Sequence, residues 1–115
     1  MHPRLETIRA RIAADFPAEL GPVELVHDPD FGWSLSFAGR VYGGIDDDDT
    51  EQRVAMAADY LQDAVIDETG RTWPQADGRP LFATVDDGQA WWMRDGQRFA
   101  PVGHLNQALH RTTAA

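Results

Sequence analysis

The chain has 115 residues, of which 43% are hydrophobic, and a formal net charge of −9 at pH 7; these values predict one domain with a single core over residues 1–115. The negative charge disfavours direct binding to nucleic acid, and the absence of cysteine excludes disulfide bonds, thiolate catalysis and cysteine-based zinc sites. No apolar run is long enough to cross a bilayer, and the N-terminal residues lack the apolar segment of a signal peptide, so a cytoplasmic protein is expected.

The first predicted element is a helix over residues 3–15, because its apolar residues recur at steps of three and four. The stripe that they form consists of Leu5, Ile8, Ile12 and Phe16. Three arginines fall mainly off that stripe: Arg4, Arg9 and Arg11. They predict a basic outer face on this helix, which could contact the acidic surface of a second copy in a homodimer.

The next segment is predicted to form a three-stranded antiparallel meander. Its strands cover residues 23–27, 31–38 and 41–45, and Gly39 allows the reversal before the third strand. The second strand alternates most clearly, since its large residues face one side and its small residues face the other. The large residues are Phe31, Trp33, Leu35 and Phe37.

A second helix follows a run of four aspartates. Either Asp48 or Asp49 is predicted to cap it, Glu51 or Gln52 completes a capping box, and Gly70 occupies the position of a C-cap glycine. The predicted buried stripe consists of Val54, Ala57, Ala58, Leu61 and Val65. Consecutive carboxylates point in different directions, so the aspartate run is interpreted as capping rather than as a metal site.

Residues 73–105 are predicted to form a tryptophan-rich C-terminal meander, which holds three of the four tryptophans of the chain. Its three strands are predicted at residues 81–85, 89–94 and 97–102. Trp91 and Trp92 are adjacent in one strand and therefore face opposite sides of it. We expect one of them to be exposed at an interface or groove, because tryptophan is enriched at binding hot spots.

A short helical turn is predicted at residues 106–111, with Leu105 and Leu109 inward, and residues 112–115 are expected to be frayed. The complete order is α-β-β-β-α-β-β-β followed by this turn. The predicted fold class is therefore α+β, with an antiparallel sheet and two helices packed on it. The two meanders on either side of the second helix could form one continuous sheet.

Three aspartates of the second helix are the first candidate for a binding site. Asp59, Asp63 and Asp67 lie four residues apart, so they share one helix face and repel one another by about 0.2–0.5 kcal/mol per pair. No basic residue lies between them in the sequence. This face is either a solvated surface or an acidic docking surface for a basic partner.

The favoured function is a non-enzymatic, acidic protein-binding module, such as an inhibitor, an immunity protein or a chaperone, without a metal or cofactor. In this hypothesis Asp59, Asp63 and Asp67 steer a protein partner of basic character toward the molecule. Trp91 and Trp92 would then anchor that partner through their large contact area.

Two alternatives from other classes remain open. One is a small enzyme or a small-molecule-binding protein with a pocket around His27, Trp33 and Trp91. The other is a DNA mimic whose carboxylates imitate the spacing of phosphate groups. The four histidines are too scattered in the sequence to predict a metal site, and no serine lies in a nucleophile-elbow pattern.

A series of short motifs runs through the C-terminal third: Trp73-Pro74, Pro80-Leu81, Gly88-Gln89-Ala90, Trp92 and Ala100-Pro101-Val102-Gly103-His104-Leu105. On these motifs the chain resembles a family of small actinobacterial proteins that has no assigned activity. Members of that family place cysteine or histidine near the positions of Ala76, Arg79 and Arg94, in a pattern similar to a small zinc ribbon. This chain has neither residue there, so the resemblance implies a meander that is held by packing without a metal.

The small size, the acidic composition and the order of elements are also similar to those of secretion-chaperone-like folds. This second resemblance is architectural only, and it implies a protein that dimerises and holds an extended segment of its partner.

Overall fold

The structure, a computed structural model, describes residues 3–45 and 49–113. Three α-helices and eight strands follow one another along these residues, and a 3₁₀ turn, Ala18–Leu20, connects the first helix to the first strand. The elements are α1 (Pro3–Asp15), β1 (Glu24–Asp28), β2 (Gly32–Phe37), β3 (Arg40–Tyr42), α2 (Thr50–Thr69), β4 (Gln75–Ala76), β5 (Arg79–Pro80), β6 (Phe82–Asp86), β7 (Gln89–Arg94), β8 (Gln97–Pro101) and α3 (Leu105–Thr113). The predicted α+β class is confirmed.

The described strands form three antiparallel sheets. The N-terminal sheet has the order β1-β2-β3, the C-terminal sheet has the order β6-β7-β8, and β4 pairs with β5. The two meanders are therefore separate sheets. The helix α2 packs against both of them, against β3 of the first and against β6 and β7 of the second. The buried face of α2 is wide enough for both sheets, since Ala55, Gln62 and Ala64 are buried in addition to the predicted stripe.

The ends of α2 are fixed by side-chain and backbone caps. The Asp49 carboxylate accepts a hydrogen bond from the Gln52 backbone N–H at 3.0 Å. Gly70 has a φ of 69°, and its N–H donates to the Ile66 carbonyl. The residues predicted to be buried in α2 are all buried: Val54, Ala57, Ala58, Leu61 and Val65. The other aspartates of the run, residues 46–48, lie outside the described residues.

The helix α1 has the predicted bounds, but its basic outer face is largely neutralised. The Arg9 guanidinium donates to the Glu6 carboxylate at 2.7 Å, and Arg11 binds both carboxylate oxygens of Glu51 in α2. Both arginines therefore act within the chain. The residues of α1 and the following turn that face the core are Leu5, Ile8, Ile12 and Phe16, as predicted.

The second strand begins one residue later than predicted. Phe31 lies in the preceding turn, where Asp28 accepts hydrogen bonds from the Asp30 and Phe31 backbone N–H groups, and the Phe31 side chain is 65% exposed. Leu35 and Phe37 are buried as expected. Gly43 packs directly against this turn. A Cβ atom at position 43 would lie 2.6 Å from the Phe31 Cβ, so any larger residue there would displace Phe31.

The C-terminal sheet closely follows the prediction. Its turns at Asp87-Gly88 and Asp95-Gly96 have positive φ at both residues, which is the geometry that tight hairpins need. After β8, α3 is a nine-residue helix that reaches Thr113, so it is longer than the predicted turn. Leu105 is buried and Leu109 is half-buried, while residues 114–115 lie outside the described residues.

Candidate functional site

The outer surface of α2 carries a line of four side chains that includes two of the candidate aspartates. Gln52, Met56, Asp59 and Asp63 follow one another at steps of four, three and four residues, so they lie on one helix face. We call this line the outer ridge of α2. Asp59 and Asp63 are exposed and form no ion pair with another described residue, and Met56 is 42% exposed. The ridge therefore combines an apolar side chain with two free carboxylates.

The third candidate aspartate has a partner. Asp67 forms an ion pair with Arg40, which belongs to β3 of the N-terminal sheet. Arg40 is 27 residues away in the sequence, so the helical spacing gave no sign of this contact. Exposed ion pairs of this kind contribute at most about 1 kcal/mol to stability, but this one neutralises the charge at that end of the row.

A groove separates the outer ridge of α2 from the neighbouring strand β6. Its volume is about 250 Å³, and it is lined by Gln52, Ala55, Met56 and Asp59 from α2 and by Ala83, Thr84 and Val85 from β6. We call it the α2–β6 groove. It lies along an outer strand of the C-terminal sheet, and at the start of that strand Phe82 is 57% exposed.

Two hydrogen bonds fix the direction of α2 beside β6. The Gln62 side-chain amide donates to the Leu81 carbonyl at 2.7 Å, at the start of β6. The Glu51 carboxylate accepts from the Ala90 N–H at 2.9 Å, near the hairpin where β6 ends. The helix and the strand therefore run in opposite directions, and Asp63 lies nearer than Asp59 to the Phe82 end of the groove.

The two adjacent tryptophans have different environments. Trp92 is fully buried: its indole N–H donates to the Asp15 carboxylate at 2.8 Å, and its ring packs edge-on against Trp73 at 5.8 Å. A side chain that is fully buried offers no contact area to a partner, so the position of Trp92 does not support its predicted role as an anchor. Trp91 is half-buried on the opposite face of β7, beneath the Arg98 guanidinium at 5.0 Å from the ring centre.

The outer face of the C-terminal sheet, which includes Trp91, also carries the exposed Phe82. Antiparallel register places Thr84 opposite Trp91 and Phe82 opposite Met93, so these four side chains share that face. The strand β6 separates this outer face from the α2–β6 groove, so the two surfaces adjoin along β6. Trp91 remains a candidate anchor.

None of four well-formed surface cavities in the described residues corresponds to the predicted pocket around His27, Trp33 and Trp91. His27 and Trp33 do meet edge to face, with ring centres 5.2 Å apart, across β1 and β2. Trp91 lies in β7, which belongs to a different sheet. The linings of the four cavities include none of these three residues.

Sequence reasoning missed two carboxylates, one buried and one half-buried, whose pKa values are shifted. Burial raises the pKa of Asp15, although hydrogen bonds from Gly103, Trp92 and Leu105 partly oppose the shift. The pKa of Glu51 is lowered, chiefly by its hydrogen bonds with Arg11. Asp15 could have been noticed, because an anion in the last turn of a helix is unfavourable unless other groups compensate it.

Both carboxylates connect elements of the fold. The Asp15 carboxylate accepts from the Trp92 indole and from the backbone N–H groups of Gly103 and Leu105, so it joins α1 to β7 and to the start of α3. Glu51 joins α2 to α1 through Arg11 and to β7 through the Ala90 N–H. Because the carboxylates of Asp15 and Glu51 bind these groups of the chain itself, their contacts are those of structural residues.

Within residues 3–45 and 49–113, no group of three or more histidine, aspartate or glutamate side chains is placed to hold a metal ion. In the same ranges no helix combines the length and apolarity that crossing a membrane would require. At the positions where the actinobacterial resemblance implies metal ligands, Arg79 pairs with Asp95 at 3.1 Å and Arg94 pairs with Asp77 at 2.7 Å. Two exposed ion pairs thus link the β4–β5 turn to the β7–β8 turn.

Comparison of the chain with protein-family models, with curated proteins and with solved structures gives no match. Both resemblances therefore remain predictions from the sequence.

Proposed function

We propose that this chain is a non-enzymatic, acidic protein-binding module whose binding surface is the α2–β6 groove with the outer ridge of α2. The observation that carries the proposal is the composition of this groove. Met56 supplies an exposed apolar contact, and Asp59 supplies an exposed carboxylate that pairs with no arginine among the described residues, within one short depression. Apolar contact with a charged rim is the usual anatomy of a protein interface.

The size of the groove favours a protein partner over a small molecule. Its volume of about 250 Å³ is below the roughly 300–1,000 Å³ of typical ligand pockets. Exposed side chains extend the surface in both directions, from Met56 on the ridge to Phe82 at the start of β6. A macromolecule can use such a discontinuous surface, since each part adds contact area to the others.

The charge of the surface favours a basic partner. Asp59 and Asp63 are exposed, and the whole molecule has a net charge of −9. Such a field attracts cationic partners and raises their association rate at low salt. A DNA mimic has less support than a basic-protein binder, because Arg40 neutralises Asp67 and leaves only two free carboxylates in the row.

The proposal is tested by measuring how fast the partner associates. The partner is first obtained by affinity purification from the native host and identified by mass spectrometry. Association rates are then compared for the wild type and for the double variant Asp59→Asn/Asp63→Asn at low and at physiological ionic strength. We expect the variant to associate about threefold to tenfold more slowly at low salt and to depend less on salt.

The matched control is Glu24→Gln/Asp30→Asn. It also removes two negative charges, one from the exposed Glu24 in β1 of the N-terminal sheet and one from the exposed Asp30 in the turn that follows β1. Its association rate should stay close to that of the wild type. If both variants slow association equally, the partner responds to net charge alone, and the α2–β6 groove is not the binding surface.

A further inference from the structure

The strand β6 has an open edge. It is the outer strand of the order β6-β7-β8, so it pairs with β7 on one side and with no described strand on the other. The turn at Asp87-Gly88 is a tight two-residue hairpin, which makes Asp86 and Gln89 a hydrogen-bonded pair. Because such pairs alternate along an antiparallel ladder, the backbone N–H and C=O groups of Ala83 and Val85 point away from β7.

The hydrogen bonds of β7 support this assignment. Ala90 is the partner of Val85 in the register, and its carbonyl accepts from the Val102 N–H on the far side of β7. Its N–H donates to the Glu51 carboxylate. Ala90 therefore directs neither group toward β6, and Val85 directs neither toward β7. The edge groups of Ala83 and Val85 have no hydrogen-bond partner among the described residues.

Among the described residues, this edge is covered only at its start, where the Leu81 N–H donates to the Pro74 carbonyl and the Leu81 carbonyl accepts from Gln62. Its remainder at Ala83 and Val85 lacks several features that usually protect a strand from pairing with another chain. Proteins protect their edges with proline, a bulge, an inward charge or a covering segment. The sequence of β6, Phe82–Asp86, contains no proline and no cation, and its register with β7 is continuous. The irregularity of this sheet lies instead between β7 and β8, at Trp92 and Met93.

We propose that the edge of β6 accepts an extended segment of a partner protein as a fourth strand of the C-terminal sheet, and that basic and apolar residues alternate in this segment. The charge preference rests on the proposed function, whereas the strand pairing rests on the edge itself. Addition of a strand to an exposed edge is a common mode of peptide recognition, in which main-chain hydrogen bonds supply affinity.

The spacing of the outer ridge matches the spacing of an added strand. Asp59 and Asp63 are four residues apart on α2, so they are separated by about 6 Å along the helix axis. Side chains on one face of a strand repeat every two residues, or about 6.6–6.8 Å. Two basic residues at positions i and i+2 of the segment therefore reach the two carboxylates. The residues between them face the opposite side, beside Phe82 and Thr84, where an apolar side chain fits.

Charge decides between a basic segment and a second copy of this chain. Pairing of two β6 edges would bring together two copies that each carry a net charge of −9 and would place their outer ridges near each other. Like charges at close range oppose such a contact. A basic segment instead compensates Asp59 and Asp63, so the occupant is a different protein.

The test uses a synthetic ten-residue peptide in which lysine and valine alternate. Binding is followed by the amide NMR signals of the ¹⁵N-labelled full chain, and the Ala83 and Val85 signals should shift the most. A peptide of the same composition with its lysines and valines in two blocks should bind at least about tenfold more weakly, because it cannot place its lysines on one face. A glutamate–valine peptide should not bind.

Backbone methylation tests the main-chain hydrogen bonds directly. In an added strand only alternate N–H groups point at β6, so methylating one set of alternate residues should weaken binding at least about tenfold, while methylating the other set should change it little. Equal binding of the alternating, blocked and methylated peptides would overturn the proposal, as would the absence of any binding.

A variant of the protein provides a second test, which uses the same alternating peptide. Val85→Pro removes an N–H group that faces away from β7, a position where an edge strand tolerates proline. It should weaken binding of the alternating peptide at least about tenfold. The matched control is Val41→Pro, at the exposed position of the outer strand β3 that pairs with Ser36 in the N-terminal sheet. If Val85→Pro does not fold, the methylated peptides still decide the question.

The two proposals fail in different ways. Loss of partner association in Asp59→Asn/Asp63→Asn, with full association in a folded Val85→Pro variant, would reject strand addition and leave the proposed function intact. Unchanged association in the aspartate variant would reject the proposed function. A dimer in sedimentation experiments that Val85→Pro converts to a monomer would show that the occupant is a second copy.

Discussion

Asp15 connects three parts of the chain that are far apart in the sequence. Its carboxylate accepts hydrogen bonds from the Trp92 indole N–H at 2.8 Å, the Gly103 N–H at 2.6 Å and the Leu105 N–H at 3.0 Å. It thereby receives the first backbone N–H of α3 and fixes the orientation of the central tryptophan. The burial that raises its pKa also makes its hydrogen bonds costly to lose.

We expect Asp15→Asn to destabilise the protein by about 1–3 kcal/mol, because the amide offers one acceptor oxygen and turns an NH₂ group toward a buried donor. Urea unfolding followed by tryptophan fluorescence measures this change. The exposed Asp30→Asn should stay within about 0.5 kcal/mol of the wild type. An Asp15→Asn variant that is equally unaffected would show that the three hydrogen bonds contribute little to stability.

Glu51 gives stability a dependence on pH. Arg11 holds the pKa of this carboxyl below its usual value of 4.5, and the Ala90 N–H acts in the same direction. A group with a lowered pKa in the folded state contributes stability above its unfolded pKa and loses it as the pH falls through the folded pKa. The Glu51 contribution is therefore present near neutrality and disappears below pH 4.5.

The expected cost of Glu51→Gln is about 1.5–3 kcal/mol near neutral pH, the usual range for hydrogen bonds to charged groups. The difference in unfolding free energy between the wild type and this variant should decrease as the pH is lowered below the ordinary glutamate pKa. Urea titrations at several pH values measure it. Glu24→Gln, on an exposed strand position, is the control. A difference that stays constant with pH would contradict the role of the Arg11 contact.

At the scale of elements, local patterns predicted α1, α2 and the C-terminal meander because each is determined by nearby residues. The cap at Asp49, the C-cap at Gly70 and the turn at Asp87-Gly88 act within a few residues of the backbone that they fix. The contact between Arg11 and Glu51 spans 40 residues, and that between Asp15 and Trp92 spans 77. No periodicity in the sequence encodes contacts of this range, so the environments of these residues could not be predicted.

The candidate site was predictable only in part for the same reason. Helical spacing correctly places Asp59 and Asp63 on one exposed face. It gives no information about Arg40, which reaches Asp67 from another element. Strand alternation correctly separates Trp91 from Trp92, but it does not indicate which face is covered. The α2–β6 groove depends on how a helix packs beside a sheet edge, which only the assembled fold determines.

The packing of α2 against the two sheets gives a prediction for the whole element. Leu61 is fully buried in the middle of the helix, so Leu61→Ala should cost about 2–5 kcal/mol in unfolding free energy. Met56→Ala, on the outer ridge, should cost much less because Met56 is 42% exposed. Chemical denaturation of both variants provides the comparison. Equal effects would mean that the outer ridge is packed against the rest of the chain.

At the scale of the whole molecule, repulsion between acidic groups is not fully compensated. The chain has 19 acidic and 10 basic residues, so nine carboxylates (19 minus 10) lack an arginine even if every arginine forms one pair. The described ion pairs are mostly exposed, and such pairs contribute only about 0–1 kcal/mol each. Self-repulsion of a net charge destabilises the compact state. The dispersed repulsion should therefore outweigh the local attraction.

This balance predicts that salt stabilises the protein. Raising sodium chloride from about 10 mM to about 150 mM shortens the Debye length from about 30 Å to about 8 Å, which screens the dispersed repulsion more than the close ion pairs. We expect the melting temperature to rise by a few degrees over this range. Asp59→Asn/Asp63→Asn should rise less than Glu24→Gln/Asp30→Asn, because it also removes a repulsive pair one helical turn apart. A melting temperature that falls with salt would show instead that the ion pairs dominate the electrostatic free energy of the fold.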